Sequence, residues 1–571
     1  MRLSTEPATE PLADEAPARA TIEAALAAGI TRFDTARAYA TSERDEGHNE
    51  RLLANVLGDR RAEVEIVTKC GMSRAGGGWT PDGRASRVLA DAEASAEALG
   101  GPPDLLLLHA PDPRVSLATS VRALARAKEM GLAKAVGISN VTRKQLAEAL
   151  EHAPIRAVEV ALGAYDDLPV RGGVIALCLD RGLAIFAHAP LGGPKRAPKL
   201  ARDHELASIA SRHPELGAAG VVLAYLLAMH PSIALVVGAR RPETIAKIAA
   251  AGRATLAEAD LVALDARFPV LGALRRPPSI ASAEGAAEVV LMMGIPGAGK
   301  SRAAEVLVAR GYERLNRDCL SGTLRGIAKR LDEGLAAGGA RFVLDNTYVT
   351  RATRNDVIRV AQRHGARVRC VHFDTSAPDA QVNAVLRMID RFGHVLSPRE
   401  IAEIGKRDAA AIGPTAIFRM TRELEPPAAD EGFAAIENVP FVREPRANAT
   451  RAAVAINTTV AGPRVDTLVA EAPADAAVLL FAWLPGASDE AVAQADDRAR
   501  VLAATTGRTV ESAVCVHPAG PPICWCRPPL AGLFLSFAHR HGVDPRATTM
   551  IAASTSDRAM AKALEMTFRE L

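Results

Sequence analysis

The chain has 571 residues, too many for a single hydrophobic core, and this length predicts about three or four domains. Apolar residues make up 49% of the chain, and its 44 Gly and 36 Pro form no low-complexity tract, so composition excludes a disordered protein. The net charge is only +3, the N-terminus is acidic and proline-bearing, and no run of about 18 uncharged apolar residues occurs. We therefore expect a cytoplasmic protein without a membrane span.

The first predicted domain covers residues 1–274. From about residue 19 to 268, short apolar runs alternate with amphipathic stretches, a repeated βα organisation. The seven runs that predict strands are TRFDTA, VEIVTK, LLLLHA, AVGIS, AVEVAL, LAIFAHAPL and IALVVGA. This pattern predicts a (β/α)8 TIM barrel with a short or altered first strand, and the pattern alone leaves a doubly wound sheet open.

Two boundaries divide the rest of the chain. The segment 275–288, RRPPSIASAEGAAE, interrupts the pattern with prolines and small residues and is predicted to be a linker. A second α/β domain, 289–445, begins with the apolar run VVLMMG, which leads into a glycine-rich turn. The last segment, 446–571, contains the strand-like runs AAVAI, AVLLFAW and TMIAA and predicts a small α/β domain.

Polar residues follow the predicted barrel strands at the end where barrel active sites are built. The candidates are Asp34, Tyr39, Lys69 and His109. Each one alone has an ordinary alternative, namely a helix-capping Asp, a half-buried Tyr, a surface Lys or a hydrogen-bonded core His. Together with their surroundings they resemble the aldo/keto reductase family, in GITRFDTARAYA, NERLLANVL, VTKCG, DLLLLHAPDP, AVGISN, APLGG and VVGARRPETI.

The resemblance implies a barrel that binds NADP(H) and reduces an aldehyde or ketone, the small-molecule substrate, to an alcohol. In it Tyr39 would be the acid that protonates the forming alkoxide, and His109 would orient the carbonyl oxygen. An unperturbed phenol titrates near pH 10, so a neighbouring cation is needed to favour the phenolate. Lys69, held by Asp34, would supply that cation.

The resemblance also implies the cofactor contacts. Ser139 and Asn140 would bind the carboxamide, Glu159 stands where the family has Gln, and His188 stands where it has the aromatic residue that stacks on nicotinamide. The phosphate end would be held by Gly238, Arg240 and Arg241, and arginines suit a 2′-phosphate, which favours NADP over NAD. A barrel that only senses the nucleotide or serves as a scaffold stays open.

The run GIPGAGKS matches G-x-x-x-x-G-K-[ST] and sits between an apolar strand and a helix, the context that identifies a P-loop. Its glycines, Gly294, Gly297 and Gly299, would let backbone N–H groups wrap phosphates. Lys300 would reach the β and γ oxygens and Ser301 would ligate Mg²⁺. The motif therefore predicts binding of ATP with Mg²⁺.

Downstream, YERLNRDCL, RFVLDNTYVTRATRNDVI and LRMIDRFGHVLSPREI resemble the polynucleotide-kinase type of P-loop kinase. In that resemblance Asp318 is the general base, Asp345 supports the metal, and Arg387 or Arg391 stabilises transferred charge. Residues 300–422 hold 22 basic against 13 acidic side chains, a net of +9 that is compatible with a nucleic acid 5′-hydroxyl as acceptor. A small-molecule acceptor, a nucleotide-operated switch and a plain solvated arginine surface stay open.

Three of the seven cysteines crowd together near the C-terminus, which argues against a disulfide framework. With one histidine they form a ligand set for tetrahedral, structural Zn²⁺: Cys515, His517, Cys524 and Cys526. The surrounding CVHPAGPPICWCRPPLAGL and the later MIAASTSD resemble the zinc-loop branch of the HAD phosphatases. That resemblance puts Asn457 and Thr459 where the two catalytic aspartates belong and keeps Asp557, which implies a pseudophosphatase.

The combined prediction is an NADPH-dependent carbonyl reductase fused to an ATP-dependent kinase that phosphorylates a hydroxyl group. The alternative is an ATP-dependent nucleic-acid end-processing or regulatory protein whose barrel only senses nicotinamide nucleotide.

Overall fold

The structure, a computed structural model, describes residues 15–275, 287–320, 322–444, 446–520 and 523–571. The chain divides into two compact units, Met1–Ser279 and Ile280–Leu571. Most of the predicted linker, 276–286, and the predicted boundary at Pro445 lie outside the described residues. Within the described ranges, every helix is too short or too polar to cross a membrane.

The first unit contains a seven-stranded parallel sheet in the order β1-β2-β5-β6-β7-β8-β9, with a small antiparallel hairpin, β3-β4, beside it. Its strands confirm the seven predicted ones, and residues 1–14, which precede them, lie outside the described part. The strands are β1 (Arg32–Asp34), β2 (Glu65–Cys70), β3 (Met72–Ser73), β4 (Thr80–Pro81), β5 (Leu105–Leu108), β6 (Val136–Ser139), β7 (Ile155–Ala161), β8 (Ala184–His188) and β9 (Ile233–Val236).

Helices alternate with these strands because each has an apolar stripe that packs on the sheet. Local capping fixes their starts: at α5 the Thr142 hydroxyl accepts from the backbone N–H of Gln145, whose side chain returns the bond. The helices are α1 (Ala16–Ala27), α2 (His48–Leu57), α3 (Ala85–Ala98), α4 (Leu117–Glu129), α5 (Arg143–His152), α6 (Leu168–Arg171), α7 (Val174–Asp180), α8 (His204–Arg212), α9 (Gly217–Leu227), α10 (Pro242–Arg253), α11 (Glu258–Arg267) and α12 (Pro269–Arg275).

The sheet curls into a barrel. Along β5, Leu106 and Leu108 join the cluster beneath the helices, whereas Leu105 and Leu107 pack inside. Two contacts cross the interior: the Arg32 guanidinium of β1 lies 5.2 Å from the ring centre of Phe186 on β8, and Lys69 on β2 reaches Glu159 on β7. Strands so far apart in sheet order meet only in a curved sheet, which confirms the predicted TIM-barrel class.

The second unit holds two further parallel sheets, each covered by helices on both faces. The first has the order β11-β12-β10-β13-β14. Its elements are β10 (Glu288–Met293), α13 (Lys300–Val308), β11 (Glu313–Leu315), α14 (Arg317–Leu320), α15 (Leu324–Ala336), β12 (Arg341–Asp345), α16 (Arg351–Arg363), β13 (Arg367–Asp374), α17 (Ala377–Phe392), α18 (Pro398–Ile404), α19 (Pro414–Glu423) and β14 (Ala435–Pro440). Side chains of β10 alternate between the two apolar layers, since Val290 packs with α17 and Val289 with α15 and α16.

The last sheet has the order β17-β16-β15-β18-β19. Its elements are β15 (Arg451–Asn457), α20 (Thr458–Ala461), α21 (Val465–Glu471), β16 (Ala477–Trp483), α22 (Asp489–Thr506), β17 (Val510–Cys515), α23 (Gly532–His541), β18 (Val543–Ala552), α24 (Thr555–Ala563) and β19 (Thr567–Glu570). One apolar cluster contains Val385 of α17 together with Leu535 of α23. The two sheets of this unit therefore share a continuous core.

Gly163, two residues after the end of β7, tests the packing at the rim of the barrel. A Cβ at this position would lie 2.0 Å from the carbonyl oxygen of Pro190, so we expect Gly163→Ala to lower the free energy of unfolding of the barrel by about 1–3 kcal/mol. The matched control is Gly252→Ala in α10, where a Cβ meets open space and alanine favours the helix by about 0.5–1 kcal/mol. Scanning calorimetry of the full chain measures both, and an unchanged melting temperature for Gly163→Ala would contradict the packing.

Candidate functional site

Four predicted catalytic side chains meet at the carboxyl ends of β1, β2 and β5. Lys69 Nζ donates to Asp34 Oδ2 at 2.5 Å and lies 5.4 Å from the centre of the Tyr39 ring. The rings of Tyr39 and His109 are 5.9 Å apart and meet edge to face. Lys69 is 1% and Tyr39 7% exposed. The structure thus brings a cation, a phenol and an imidazole to one buried place.

The charge of Lys69 is held by buried oxygen atoms. The Thr35 carbonyl accepts from Nζ at 3.1 Å and Glu159 Oε2 lies 3.2 Å away. Burial opposes the charge, yet the carboxylate of Asp34 holds the pKa of Lys69 well above its ordinary value. Burial likewise opposes ionisation of Asp34, but Lys69 keeps the pKa of Asp34 below its ordinary value. The pair is therefore ionised at neutral pH.

Glu159 is the third member of this cluster. Burial and the neighbouring charge of Asp34 raise the pKa of Glu159 to about 8, against the opposing effect of Lys69. A second ionised carboxylate beside Asp34 would leave the buried cluster with excess negative charge. At neutral pH we therefore assign Glu159 as the protonated acid, which, like an amide, can both donate and accept a hydrogen bond.

The residues predicted at the carboxamide form a network beside Glu159. Asn140 Nδ2 donates to the His109 carbonyl at 3.0 Å and to Ser139 Oγ at 3.1 Å, and Asn140 Oδ1 lies 3.0 Å from His188 Nε2. Asn140 has a φ of +56°, a left-handed conformation that asparagine tolerates better than most residues. The ends of β5, β6 and β8 are thus tied together through one amide.

The residues predicted at the phosphate end follow β9. Gly238, Arg240 and Arg241 are exposed, and α10 begins directly after them at Pro242. Backbone N–H groups at a helix start and two exposed guanidinium groups both favour an anion. This end of the barrel can hold a phosphate group.

The P-loop joins β10 to α13 as predicted. Its three glycines have φ values of +151°, +87° and +96°, which disfavour other residues: Gly294, Gly297 and Gly299. A Cβ on Gly297 would lie 2.2 Å from the Ala380 carbonyl oxygen. Lys300 Nζ donates to the carbonyls of Gly294 and Ile295 at 2.8 and 2.9 Å, and burial lowers the pKa of Lys300 to about 8. A bound phosphate would place negative charge beside the Lys300 amine and so favour its protonated form.

A cavity of about 420 Å³ adjoins the P-loop, and Ser301, Asp318, Asp345 and Arg387 are in its lining. Asp345 is buried, pairs with Arg314 and accepts from Asn316 Nδ2 at 3.1 Å. The side chain of Asp318 is 53% exposed. The structure therefore places a solvent-accessible carboxylate, a fixed carboxylate and an arginine around the P-loop.

Arg391 has a different position from Arg387. Arg387 Nη2 donates to the Ala409 carbonyl at 2.6 Å, at the wall of the cavity. Arg391 lies outside the described lining, and its Nε donates to Asp408 Oδ2 at 3.0 Å. Of the two arginines predicted to stabilise transferred charge, the structure brings only Arg387 to the site.

The Cys and His group near the C-terminus is assembled. The donor atoms of Cys515, His517, Cys524 and Cys526 all lie within 4.8 Å of one another. The sulfur atoms of Cys515 and Cys524 are 3.8 Å apart, the separation expected for tetrahedral zinc with Zn–S bonds of about 2.3 Å. The donor set fits Zn²⁺.

Asn457, Thr459 and Asp557 also meet, at the carboxyl end of β15. Asn457 Nδ2 donates to Asp557 Oδ2 at 3.0 Å, and Thr459 Oγ1 donates to Asn457 Oδ1 at 2.6 Å. Ser554 Oγ donates to the same oxygen of Asp557 at 2.7 Å. The buried carboxylate is thus satisfied by protein donors.

Comparison with known proteins identifies the first half of the chain. Residues 4–267 match the sequence model of the Aldo/keto reductase family. Over 261 residues the chain is 31% identical to the 6-dehydroglucose reductase of Agrobacterium fabrum, an alignment that covers 43% of this chain and 86% of that protein. The chain belongs to the aldo/keto reductase family.

The second half of this aldo/keto reductase has other relatives. Residues 289–391 match the model of an AAA domain. Over 155 residues the chain is 32% identical to a bifunctional polynucleotide phosphatase/kinase of Schizosaccharomyces pombe, covering 27% of this chain and 34% of that protein. A P-loop domain related to a polynucleotide kinase therefore follows the reductase domain.

Two further likenesses cover the barrel. An aldo-keto reductase of Gibberella moniliformis is 29% identical over 170 residues, 29% of this chain and 50% of that protein, so the chain spans half or less of this relative and of the phosphatase/kinase. The crystal structure of the thermostable aldo-keto reductase Tm1743 with epalrestat is 27% identical, with a TM-score of 0.39, and covers 45% of this chain and 90% of that chain.

Sequence reasoning missed Trp79 at the reductase site. Its ring lies 6.1 Å from that of Tyr39 and 5.7 Å from that of His109, and the Arg74 guanidinium lies 4.2 Å from its centre. The available signal was weak: one of three tryptophans in the chain, in the run AGGGWT after β3. Trp79 therefore packs against both Tyr39 and His109.

The protonation of Glu159 makes a prediction about stability and pH. Since the folded-state pKa is raised to about 8, the stabilising contribution is present below the unfolded pKa and is lost as pH rises through about 8. Glu159→Gln removes this titration, so the melting temperature of the variant should increase relative to that of the wild type as pH rises. The expected increase is about 2–4 °C for each kcal/mol of stability that the wild type loses. Glu97→Gln, at an exposed carboxylate of α3, is the control. A difference from the wild type that is independent of pH would contradict the assignment.

Proposed function

We propose that the barrel reduces an aldehyde or ketone with NADPH and that the P-loop domain transfers a phosphoryl group from ATP to a hydroxyl group. The reductase proposal is carried by one observation: the buried Lys69 ammonium is held by Asp34 beside the Tyr39 ring, and that ring meets the ring of His109 edge to face. This arrangement supplies an acid, a charge that tunes it and a polar group for the carbonyl oxygen.

The roles in the reductase follow from charge. Tyr39 donates its phenolic proton to the oxygen that becomes an alcohol, and the nearby ammonium of Lys69 lowers the cost of the phenolate that remains. His109 orients the carbonyl oxygen, and the bound nicotinamide supplies the hydride. Asn140 and Glu159 orient the carboxamide, and Arg240 and Arg241 bind the 2′-phosphate, which supports NADP over NAD.

The kinase proposal is supported by the cavity at the P-loop. Lys300 and the loop N–H groups bind the phosphates, and Ser301 and Asp345 would hold Mg²⁺, which would supply neutralising charge to the phosphates. Asp318 accepts the proton of the attacking hydroxyl, and Arg387 stabilises charge during transfer. The net charge of +9 over residues 300–422 and the polynucleotide-kinase relative favour a nucleic acid 5′-hydroxyl as acceptor.

The last domain is proposed to be a zinc-binding, HAD-like pseudophosphatase. Structural Zn²⁺ would be held by Cys515, His517, Cys524 and Cys526, whose four donors leave no open position for chemistry. An amide, that of Asn457, occupies the end of β15 and donates to Asp557. An amide is a poor nucleophile, so this arrangement supports a domain that has lost turnover.

Tyr39→Phe tests the reductase. With a panel of reactive aldehydes we expect NADPH oxidation to fall about 10²–10⁴-fold, because the variant lacks the acid. NADPH binding, followed by cofactor fluorescence, should be unchanged. Tyr165→Phe is the control, since Tyr165 is exposed and its hydroxyl donates to the Arg196 carbonyl at 3.1 Å. Cofactor binding without any turnover by the wild type would instead support the sensing alternative.

Asp318→Asn tests the kinase. With γ-labelled ATP and 5′-hydroxyl RNA and DNA oligonucleotides, we expect transfer to fall about 10²–10⁴-fold while ATP binding persists. Asp332→Asn, at an exposed carboxylate of α15 that contacts Arg363 and His364, is the matched control. Labelling of nucleosides but not of oligonucleotides would assign a small-molecule acceptor, and full activity of Asp318→Asn would remove this residue from the mechanism.

A further inference from the structure

Trp525 connects the cysteine-rich loop to the cavity at the P-loop. It lies between Cys524 and Cys526 and its side chain is 0% exposed. Its indole N–H donates to the Ile412 carbonyl at 3.0 Å. Its own carbonyl accepts from the backbone N–H of Gly532 at 2.8 Å, which fixes the loop to the start of α23. One buried side chain therefore spans from the candidate zinc ligands to the segment before α19.

That segment, residues 405–412, is called the lid segment below and forms one wall of the P-loop cavity. Four of its residues line the cavity: Gly405, Ala409, Ala411 and Ile412. The Ala409 carbonyl accepts from Arg387 Nη2 at 2.6 Å, and Asp408 accepts from Arg391. The position of the lid segment thus sets the position of the Arg387 guanidinium.

We propose that Trp525 is a positioning residue for phosphoryl transfer, which holds the lid segment and through it Arg387 at the cavity. This inference rests on the proposed kinase function. Trp525 is anchored on both sides along the chain, because Cys524 and Cys526 belong to the donor set that fits Zn²⁺. Zinc bound there would fix the backbone on either side of Trp525 and make the cysteine-rich loop a rigid support for the lid segment.

Nucleotide binding and phosphoryl transfer would depend on different parts of the P-loop domain. The phosphate-binding groups, the P-loop backbone and Lys300, lie on β10 and α13 and do not depend on the lid segment. Arg387 lines the same cavity as Asp318, so a small displacement would remove its charge from the transfer path. Loss of the indole hydrogen bond should therefore lower kcat and leave the affinity for ATP almost unchanged.

Trp525→Phe tests this, because phenylalanine keeps an aromatic ring in the core and removes the N–H donor. We expect kcat for phosphoryl transfer to fall about fivefold or more, equivalent to ~1 kcal/mol at 1.36 kcal/mol per factor of ten. The matched control is Trp483→Phe, whose indole N–H donates at 2.9 Å to the carbonyl of His517 within the same cluster and does not reach the lid segment. Both variants should keep one zinc per chain by metal analysis.

Two measurements separate a positioning role from general destabilisation. In the Arg387→Lys background, Trp525→Phe should have little further effect on kcat, because the two changes act through one contact. Hydrogen exchange in the lid segment should be faster in Trp525→Phe and after chelation of zinc, and unchanged in Trp483→Phe.

The exchange experiment stands apart from the kinase assay. If the wild type transfers no phosphoryl group, the proposed function fails while faster exchange of the lid segment still supports its attachment to Trp525. Unchanged exchange in Trp525→Phe and in the zinc-free protein, or additive effects of Trp525→Phe and Arg387→Lys, would overturn the inference.

Discussion

A single buried cation, the ammonium of Lys69, is the constraint on which the barrel's site depends. An ammonium removed from water costs several kcal/mol unless an anion accompanies it. Asp34 supplies that anion from the neighbouring strand, and Glu159 completes the cluster from across the barrel interior. The electrostatics of the site therefore depend on the curvature of the sheet, since the cluster can form only when β2 and β7 face each other.

The carboxyl ends of parallel strands impose the same order on the other two sheets. In the P-loop domain, β10 leads into the phosphate-binding loop and β12 ends at Asp345. In the last domain, β15 ends at Asn457 and β17 at Cys515. Parallel strands release their next residues at a common edge, so functional groups distant in sequence meet there without long loops. Three sites are built in this way from otherwise unrelated segments.

Features that depend on local interactions could be predicted from the sequence, whereas features that depend on contacts between distant residues could not. Seven barrel strands were predictable because each is a local apolar run, and Lys69 because it ends such a run. Periodicity could not show which of Arg387 and Arg391 lies at the cavity, because both are on one face of α17. In the structure Arg391 instead pairs with Asp408. The positions of Trp79 and Trp525 were not predictable, because a local sequence pattern gives no signal for the contacts that fix them. Trp79 contacts Arg74, and Trp525 donates a hydrogen bond to a residue 113 positions away.

The amide at the end of β15 stabilises the buried carboxylate of the last domain. An aspartate at position 457, 3.0 Å from Asp557, would place two carboxylates together, and such pairs need a metal ion or a shared proton. Asparagine turns that repulsion into a hydrogen bond, and Ser554 and Thr459 complete the network. The shared core between α17 and α23 packs this domain against the P-loop domain.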